Sequence, residues 1–415
     1  MDGHSCGFRP KKISNKDTMQ DFDAIRPYRD DETPGAIRRL INDPEFLTLI
    51  GRFKAPTMTR LAPAVTRFWI SRWLKREFGS VDSIGRLQAR LHPLVGQLIE
   101  RTTTRLTHSG LDRLDKDTAY LFISNHRDIV FDPMVVNFLL HENKEQTTRI
   151  AIGDNLLQNR LFAEMMRLNK SFVVKRSMSS PREMRDAYQT LSAFIHHSIE
   201  DNQSIWIAQR EGRAKDGLDL TDPAIIKMFY MSQKKSGVSF AESMNRLRIV
   251  PVSIAYEYDP CDMPKARELE ARARTGSYQK HADEDTDQIV QGLTGFKGHV
   301  HVHFGAPITD SPDTAKELAA RIDDDMHRHY HLHASNLIAY DMSQVNQLSH
   351  QTEPQVPETI ETAEAWSPAD IEAARAELER RLAAADRALH PFLLAMYANP
   401  VNSMLKAMAP PLTDS

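Results

Sequence analysis

Past the apolar run Tyr120-Leu-Phe-Ile-Ser124 the chain reads Asn125-His126-Arg127-Asp128-Ile-Val-Phe-Asp132-Pro133. A histidine placed where a buried strand ends and a helix starts, with carboxylates at Asp128 and Asp132, has the makings of a general base held by an acid. Neutral imidazole is suited to taking a proton near neutral pH, and a carboxylate on its other nitrogen fixes the tautomer. The plainer reading of the same residues is a structural histidine at a turn. No G-x-S-x-G elbow is present to supply an enzyme nucleophile.

These residues resemble the first block of the glycerophosphate/lysophosphatidate acyltransferase family, N-H-x-S-x-x-D-P, with its H-x4-D spacing. Asn125, His126, Asp132 and Pro133 match it in kind. The second block, an apolar strand ending in Arg, corresponds to Phe172-Val-Val-Lys175-Arg176, and its upstream helix to Asn155-Leu-Leu-Gln-Asn-Arg-Leu-Phe162. The third is Ile205-Trp-Ile-Ala-Gln-Arg-Glu211-Gly212-Arg213-Ala-Lys215, the fourth Ile249-Val-Pro251-Val252, and the sheet closes on Phe304-Gly305-Ala-Pro307-Ile308. Two departures stand out. His126 to Asp132 is one residue longer than H-x4-D, with Asp128 where the family usually has Ser. Arg213 follows Gly212 directly, where the family's Arg comes one residue later.

The resemblance implies transfer of a fatty acyl group from acyl-CoA or acyl carrier protein to a hydroxyl of a glycerol phosphate or lysophosphatidate-type acceptor, with no cofactor and no metal. His126 would be the base and Asp132, which keeps the family's register with Pro133, the acid that orients it, Asp128 being the alternative. Arg176 and Arg213, helped by Lys175 and Lys215, would hold the acceptor phosphate. Glu211 would hold the basic loop, and Gly212 would allow close backbone approach. Because the motifs are shifted, two rivals keep the fold without the reaction: a lipid- or acyl-carrier-binding protein, and a thioester hydrolase.

These residues must be positioned by strands and helices of an α/β architecture. Short apolar runs at 120–124, 149–153, 171–175, 204–208, 248–256 and 299–305, mostly separated by helix-length segments, predict a mixed sheet flanked by helices, with helical N-terminal and C-terminal extensions. The expected division is a polar, poorly ordered tail at 1–30, a helical region at 31–103, the acyltransferase domain at 104–313 and a C-terminal helical extension at 314–415 with a linker near 343–366. Within the second, residues 57–78 read as one basic amphipathic helix whose Phe68, Trp69 and Trp73 either pack the preface onto the domain, the favoured reading, or lie in a lipid interface. The strand run His299–Gly305 reads as partly exposed near a sheet edge. His327, His329, His331 and His333 read as a solvated helix rather than a metal cluster. Pro368 opens a helix expected to continue to Leu389.

Composition sets the outer limits. The 53 Lys+Arg residues nearly balance 56 Asp+Glu, so a nucleic-acid partner is not expected from net charge. Cys6 and Cys261 have neither disulfide-framework nor zinc spacing, which fits a reducing compartment. No secretory signal and no spanning helix is read, so a cytoplasmic enzyme held peripherally on the inner face of a membrane is the expected placement.

Overall fold

Alternating side-chain direction along short strands gives this chain two cores, one on each face of a single sheet. The computed structural model describes residues 22–157, 159–281, 284–345 and 366–409. Its strands are β1 (Arg105–Ser109), β2 (Leu121–Ser124), β3 (Arg149–Gly153), β4 (Ser171–Val174), β5 (Ile205–Ala208), β6 (Ile249–Tyr256) and β7 (His299–Phe304), in the order β1-β7-β6-β2-β5-β3-β4. Strands β2 to β6 are parallel, β7 runs antiparallel to β6, and β1 pairs parallel with β7, so the sheet is mixed. Leu121, Ile123, Ile205 and Ile249 face one core with Phe194 and Leu318. Phe122, Trp206, Val250 and Val252 face the other with Phe131, Val135 and Leu139.

The helices preceding the sheet are α1 (Thr33–Asn42), α2 (Pro44–Lys54), α3 (Pro56–Leu61), α4 (Pro63–Phe78) and α5 (Ile84–Thr102). Among the strands lie α6 (Phe131–Glu142), α7 (Arg160–Leu168), α8 (Pro181–Glu200), α9 (Pro223–Tyr230), α10 (Phe240–Leu247), α11 (Asp262–Thr275) and α12 (Glu284–Thr294). After the sheet come α13 (Ala315–Arg328), α14 (Ala334–Val345), α15 (Pro368–Ala383) and α16 (His390–Met408). The last three pack on one another through Ala339, Leu378 and Tyr397. Among the described residues no helix is long and apolar enough to cross a membrane.

Several expectations are corrected. Residues 22–30 do not belong to a loose tail: Phe22 and Ile25 are buried beside Phe194, and the Val173 amide donates to the Ile25 carbonyl at 2.9 Å. The basic helix 57–78 is two helices, because Pro63 lacks an amide donor and Ala62 before it adopts φ −141°, ψ 66°. The buried stripe of α4 is Thr66, Ile70, Leu74 and Phe78, which leaves Phe68 and Trp69 off it, 65% and 60% exposed. Packing therefore claims only Trp73, whose ring lies 3.9 Å beneath the Lys54 ammonium. The helix opened by Pro368 stops at Ala383. Cys6 and nearly all of the 343–366 linker lie outside the described residues.

The histidines depart furthest from expectation. Helix α13 ends at Arg328, and His329–His333 runs on without helix, so the i, i+4 chelating pairs do not form. This segment lies instead along β7, with His329 stacked on His303 (4.7 Å between centroids), His331 on His301 (4.5 Å), and His333 against His299 (5.0 Å). Strand β7 lies next to the edge strand β1, as expected, but it is not exposed: His299 and His303 are buried. Thr107 and Ser109 of β1 hydrogen-bond the β7 rings in series: Thr107 with His299 and His301, Ser109 with His301 and His303, at 2.6–2.9 Å. Burial among other rings pushes the His301 imidazole down to about 3 and that of His333 well below the usual histidine range, so both are neutral near pH 7.

Candidate active site

Asn125 fixes the direction in which the chain leaves β2. Its side chain accepts from the Ile254 amide at 2.8 Å and donates to the Ile254 carbonyl at 3.0 Å, tying the loop to the neighbouring strand β6. The next residue, His126, meets Asp132 through Nδ1 and Oδ2 at 2.8 Å. Asp132 sits in the first turn of α6 and is fully buried, yet donors surround it. The amides of Arg127 and Asp128 donate to Oδ2 at 2.6 and 2.9 Å, and the Tyr256 phenol donates to Oδ1 at 2.5 Å. So coordinated, the carboxylate acts as acceptor for His126 Nδ1–H, leaving Nε2 as the nitrogen able to take a proton.

Asp128 has other partners. Its Oδ1 accepts from the amides of Val130 and Phe131 at 2.9 and 2.8 Å, capping the start of α6. This accounts for the longer spacing: the loop's added length is folded into an Asp-capped turn, which delivers Asp132 to the ring. Burial and the neighbouring Asp132 raise the Asp128 carboxyl above its ordinary range.

Below the loop that carries His126 lies a buried ionic layer. The Arg127 guanidinium pairs with Asp219 at 2.7 Å, both side chains about 5% exposed, and reaches the Tyr330 hydroxyl at 3.3 Å. The Arg127 carbonyl in turn accepts from the buried Lys265 ammonium at 2.7 Å. Desolvation opposes the charge on Arg127, but Asp219 and neighbouring acids outweigh it and raise the guanidinium further.

The ring of His126 opens on a cavity of about 590 Å³. Its far wall is apolar and comes from the helices that precede the sheet, with Leu40, Phe46, Trp73 and Leu91, while Met134 and Phe138 come from α6. Trp206 backs the histidine edge-on, with ring centroids 5.6 Å apart. Arg176, Arg210 and Gly212 line the same cavity near the strand ends. Gly153 makes room for Arg176, since a Cβ there would stand 2.7 Å from the guanidinium. Gly212 has φ +76°, a conformation open to glycine and strained for other residues.

Not all predicted site residues gather here. Glu211 lies 3.6 Å from Arg176 and is largely exposed. Lys175 faces a separate surface recess with Ile25 and Arg182. Arg213 does not line the cavity; it is buried against Gln288 of α12. Lys215 pairs with Glu268 of α11 at 2.5 Å, away from the cavity. Both basic side chains are drawn inward by polar partners on helices inserted between β6 and β7. Tyr256, Trp206, Arg210 and the Arg127–Asp219 pair are residues that sequence reasoning does not assign. Only Tyr256 carries a hint, as the aromatic that ends an otherwise aliphatic strand.

Comparison with known proteins adds four findings. No curated protein sequence matches the chain. Among solved structures, the 1-acyl-sn-glycerophosphate (LPA) acyltransferase PlsC from Thermotoga maritima aligns at 16% identity over 68% of this chain and 92% of its own, with a TM-score of 0.36. The signal recognition particle receptor FtsY from Elizabethkingia anophelis, in complex with GDP, aligns at 14% identity over 75% and 97%, with a TM-score of 0.22. The family model Acyltransferase matches residues 105–255, the stretch that contains the His126–Asp132 pair, Arg176 and Gly212. Residues 105–255 thus carry an Acyltransferase domain.

Proposed function

We propose that the chain moves a fatty acyl group from an acyl thioester, carried on coenzyme A or acyl carrier protein, to a hydroxyl of a glycerophosphate or lysophosphatidate-type acceptor. The observation that carries this is the His126–Asp132 pair opening on a cavity with an apolar far wall and cationic residues near the strand ends. An acyl chain suits the apolar wall and a phosphate suits the guanidinium groups. The acceptor hydroxyl gives its proton to His126 Nε2 as its oxygen attacks the thioester carbonyl. Asp132 stabilises the imidazolium that forms. Collapse of the tetrahedral adduct breaks the carbon–sulfur bond, and the departing thiolate takes the proton back from His126. No acyl-enzyme is needed. Purified protein incubated with labelled acyl-CoA and a panel of acceptors should yield acylated glycerophosphate lipid; acyl release without any acceptor would make it a hydrolase instead.

Arg176 is the residue proposed to meet the acceptor phosphate, with Arg210 beside it. Arg176→Ala is expected to raise the acceptor KM about tenfold while leaving the thioester KM nearly unchanged, a discounted share of a charge-assisted hydrogen bond because the side chain is about a third exposed. Steady-state kinetics with each substrate varied in turn checks this. An equal rise in both constants would place Arg176 elsewhere in the reaction.

The chain is further proposed to work on a membrane surface, on its cytoplasmic side. Leu61, Phe68 and Trp69 project from α3 and α4 at 78%, 65% and 60% exposure, with Arg60 and Arg67 on the same helices. Apolar side chains at headgroup depth flanked by cations favour an anionic interface. Replacing Phe68 and Trp69 together by serine should reduce cosedimentation with anionic vesicles at least about tenfold, by loss of buried aromatic area. Unchanged partitioning would remove these helices from the interface.

A further inference from the structure

We propose that His299, His331 and His333 form a binding site for a divalent transition-metal ion of the zinc class, which clips the C-terminal helical extension onto the sheet. Each residue offers one ring nitrogen, and the three nitrogens lie within 4.8 Å of one another. Histidine nitrogens around a tetrahedral zinc ion at ~2.1 Å stand about 3.4 Å apart, so modest ring rotations close the set. The rings of His299, His331 and His333 make an almost equilateral triangle, with centroids 4.8–5.0 Å apart and planes inclined by 64–77°. His331 also stacks on His301 at 23°, which holds it against β7.

The surroundings support coordination. His333 is buried, its ring is hydrogen-bonded to the backbone of Ala255, and its Nε2 has no hydrogen-bond partner among the described residues. Buried polar atoms are normally paired, and a carbonyl on one imidazole nitrogen is the usual way a ligand ring is oriented with the other nitrogen toward a metal. His299 has a comparable support in the Thr107 hydroxyl, 2.6 Å from Nε2. His301 is not a ligand, because both its nitrogens are engaged by Thr107 and Ser109. An all-imidazole set selects zinc, copper, nickel or cobalt over magnesium or calcium.

The site stands apart from the reaction. Ala255 and His301 pair across β6 and β7 and face the layer of Leu332, Leu337 and Val401. Tyr256, the next residue, faces the opposite side and bonds Asp132. An ion here would join β7 to the segment leading into α14, and hence stabilise the fold without taking part in acyl transfer.

The test uses the full chain, stripped with EDTA, desalted and offered one equivalent of Zn²⁺ or Co²⁺. Metal analysis should find about one ion per chain, and zinc should raise the melting temperature. Co²⁺ should give the visible absorption of a tetrahedral site. His333→Ala and His299→Ala should lose both binding and the thermal shift, while His281→Ala, at an exposed position, keeps them. Zinc should also shift the imidazole NMR resonances of residues 299, 331 and 333 in the unaltered chain, a readout that holds if the variants fold poorly. Less than one-tenth equivalent bound, unshifted resonances, or binding that survives His333→Ala and is lost in His141→Ala, where His92, His141 and Glu142 form another possible set, would overturn the proposal.

Discussion

His126→Ala is expected to lower kcat for acyl transfer by roughly 10²- to 10⁴-fold, the usual contribution of a positioned general base, and to leave the unfolding midpoint near that of the parent chain. The expectation of intact stability rests on what the ring leaves behind. Asp132 keeps the amides of Arg127 and Asp128 and the Tyr256 phenol, so no buried charge is stranded. The ring borders a cavity and packs edge-on against Trp206, so its loss enlarges an existing space rather than opening one in a filled core. Wild-type turnover in this variant would overturn the assignment of the base. A comparable loss of folded protein would leave His126 as a structural residue.

The two nearby carboxylates separate the base's partner from the loop's cap. Asp132→Asn can still accept from His126 Nδ1–H but no longer carries the charge that stabilises an imidazolium, so kcat should fall while substrate KM values change little. Asp128→Asn keeps the oxygen that caps Val130 and Phe131 and does not touch the ring, so kcat should stay within a few-fold of the parent. A larger loss for Asp128→Asn than for Asp132→Asn would reverse the two roles.

What was legible in the sequence follows from how each contact is made. His126 and Asp132 lie six residues apart across one loop, so residue type and spacing announced them. Tyr256 reaches the same carboxylate from 124 residues away, and only strand order brings β6 beside β2. Six strands stood out as apolar runs; β1 did not, because Arg105-Leu-Thr-His-Ser109 has half-exposed, polar positions. Arg213 and Lys215 are assigned to a phosphate by the resemblance of the block they sit in; the amide and acid that draw them inward belong to α12 and α11, far along the chain. The histidines of residues 327–333 carry both a four-residue and a two-residue spacing. Read as a helix they face solvent; the helix ends at Arg328, and the non-helical segment beyond it lays the rings of His329, His331 and His333 against β7.

Arg127→Ala is expected to be the most destabilising single change near the site, by about 3–5 kcal/mol, because it strands Asp219 in a region with almost no solvent. Among the described residues Asp219 Oδ2 would retain only the Asn125 amide at 3.0 Å, and Oδ1 is already buried without a hydrogen-bond partner. Tyr330 would lose its guanidinium neighbour, so the damage reaches the segment that leads to α14. The pair is not itself a large net source of stability, since removing two charges from water costs nearly what their attraction returns. Arg127→Met with Asp219→Leu should therefore recover much of the loss that Arg127→Ala alone incurs. Denaturant unfolding of the parent, both single variants and the double variant measures the coupling directly. A double variant no more stable than Arg127→Ala would show that the stranded carboxylate is not the cause, and that the cost lies in packing around the guanidinium. Activity separates the two effects: the double variant keeps the backbone amide of residue 127 that donates to Asp132, so its folded fraction should turn over at close to the parent rate.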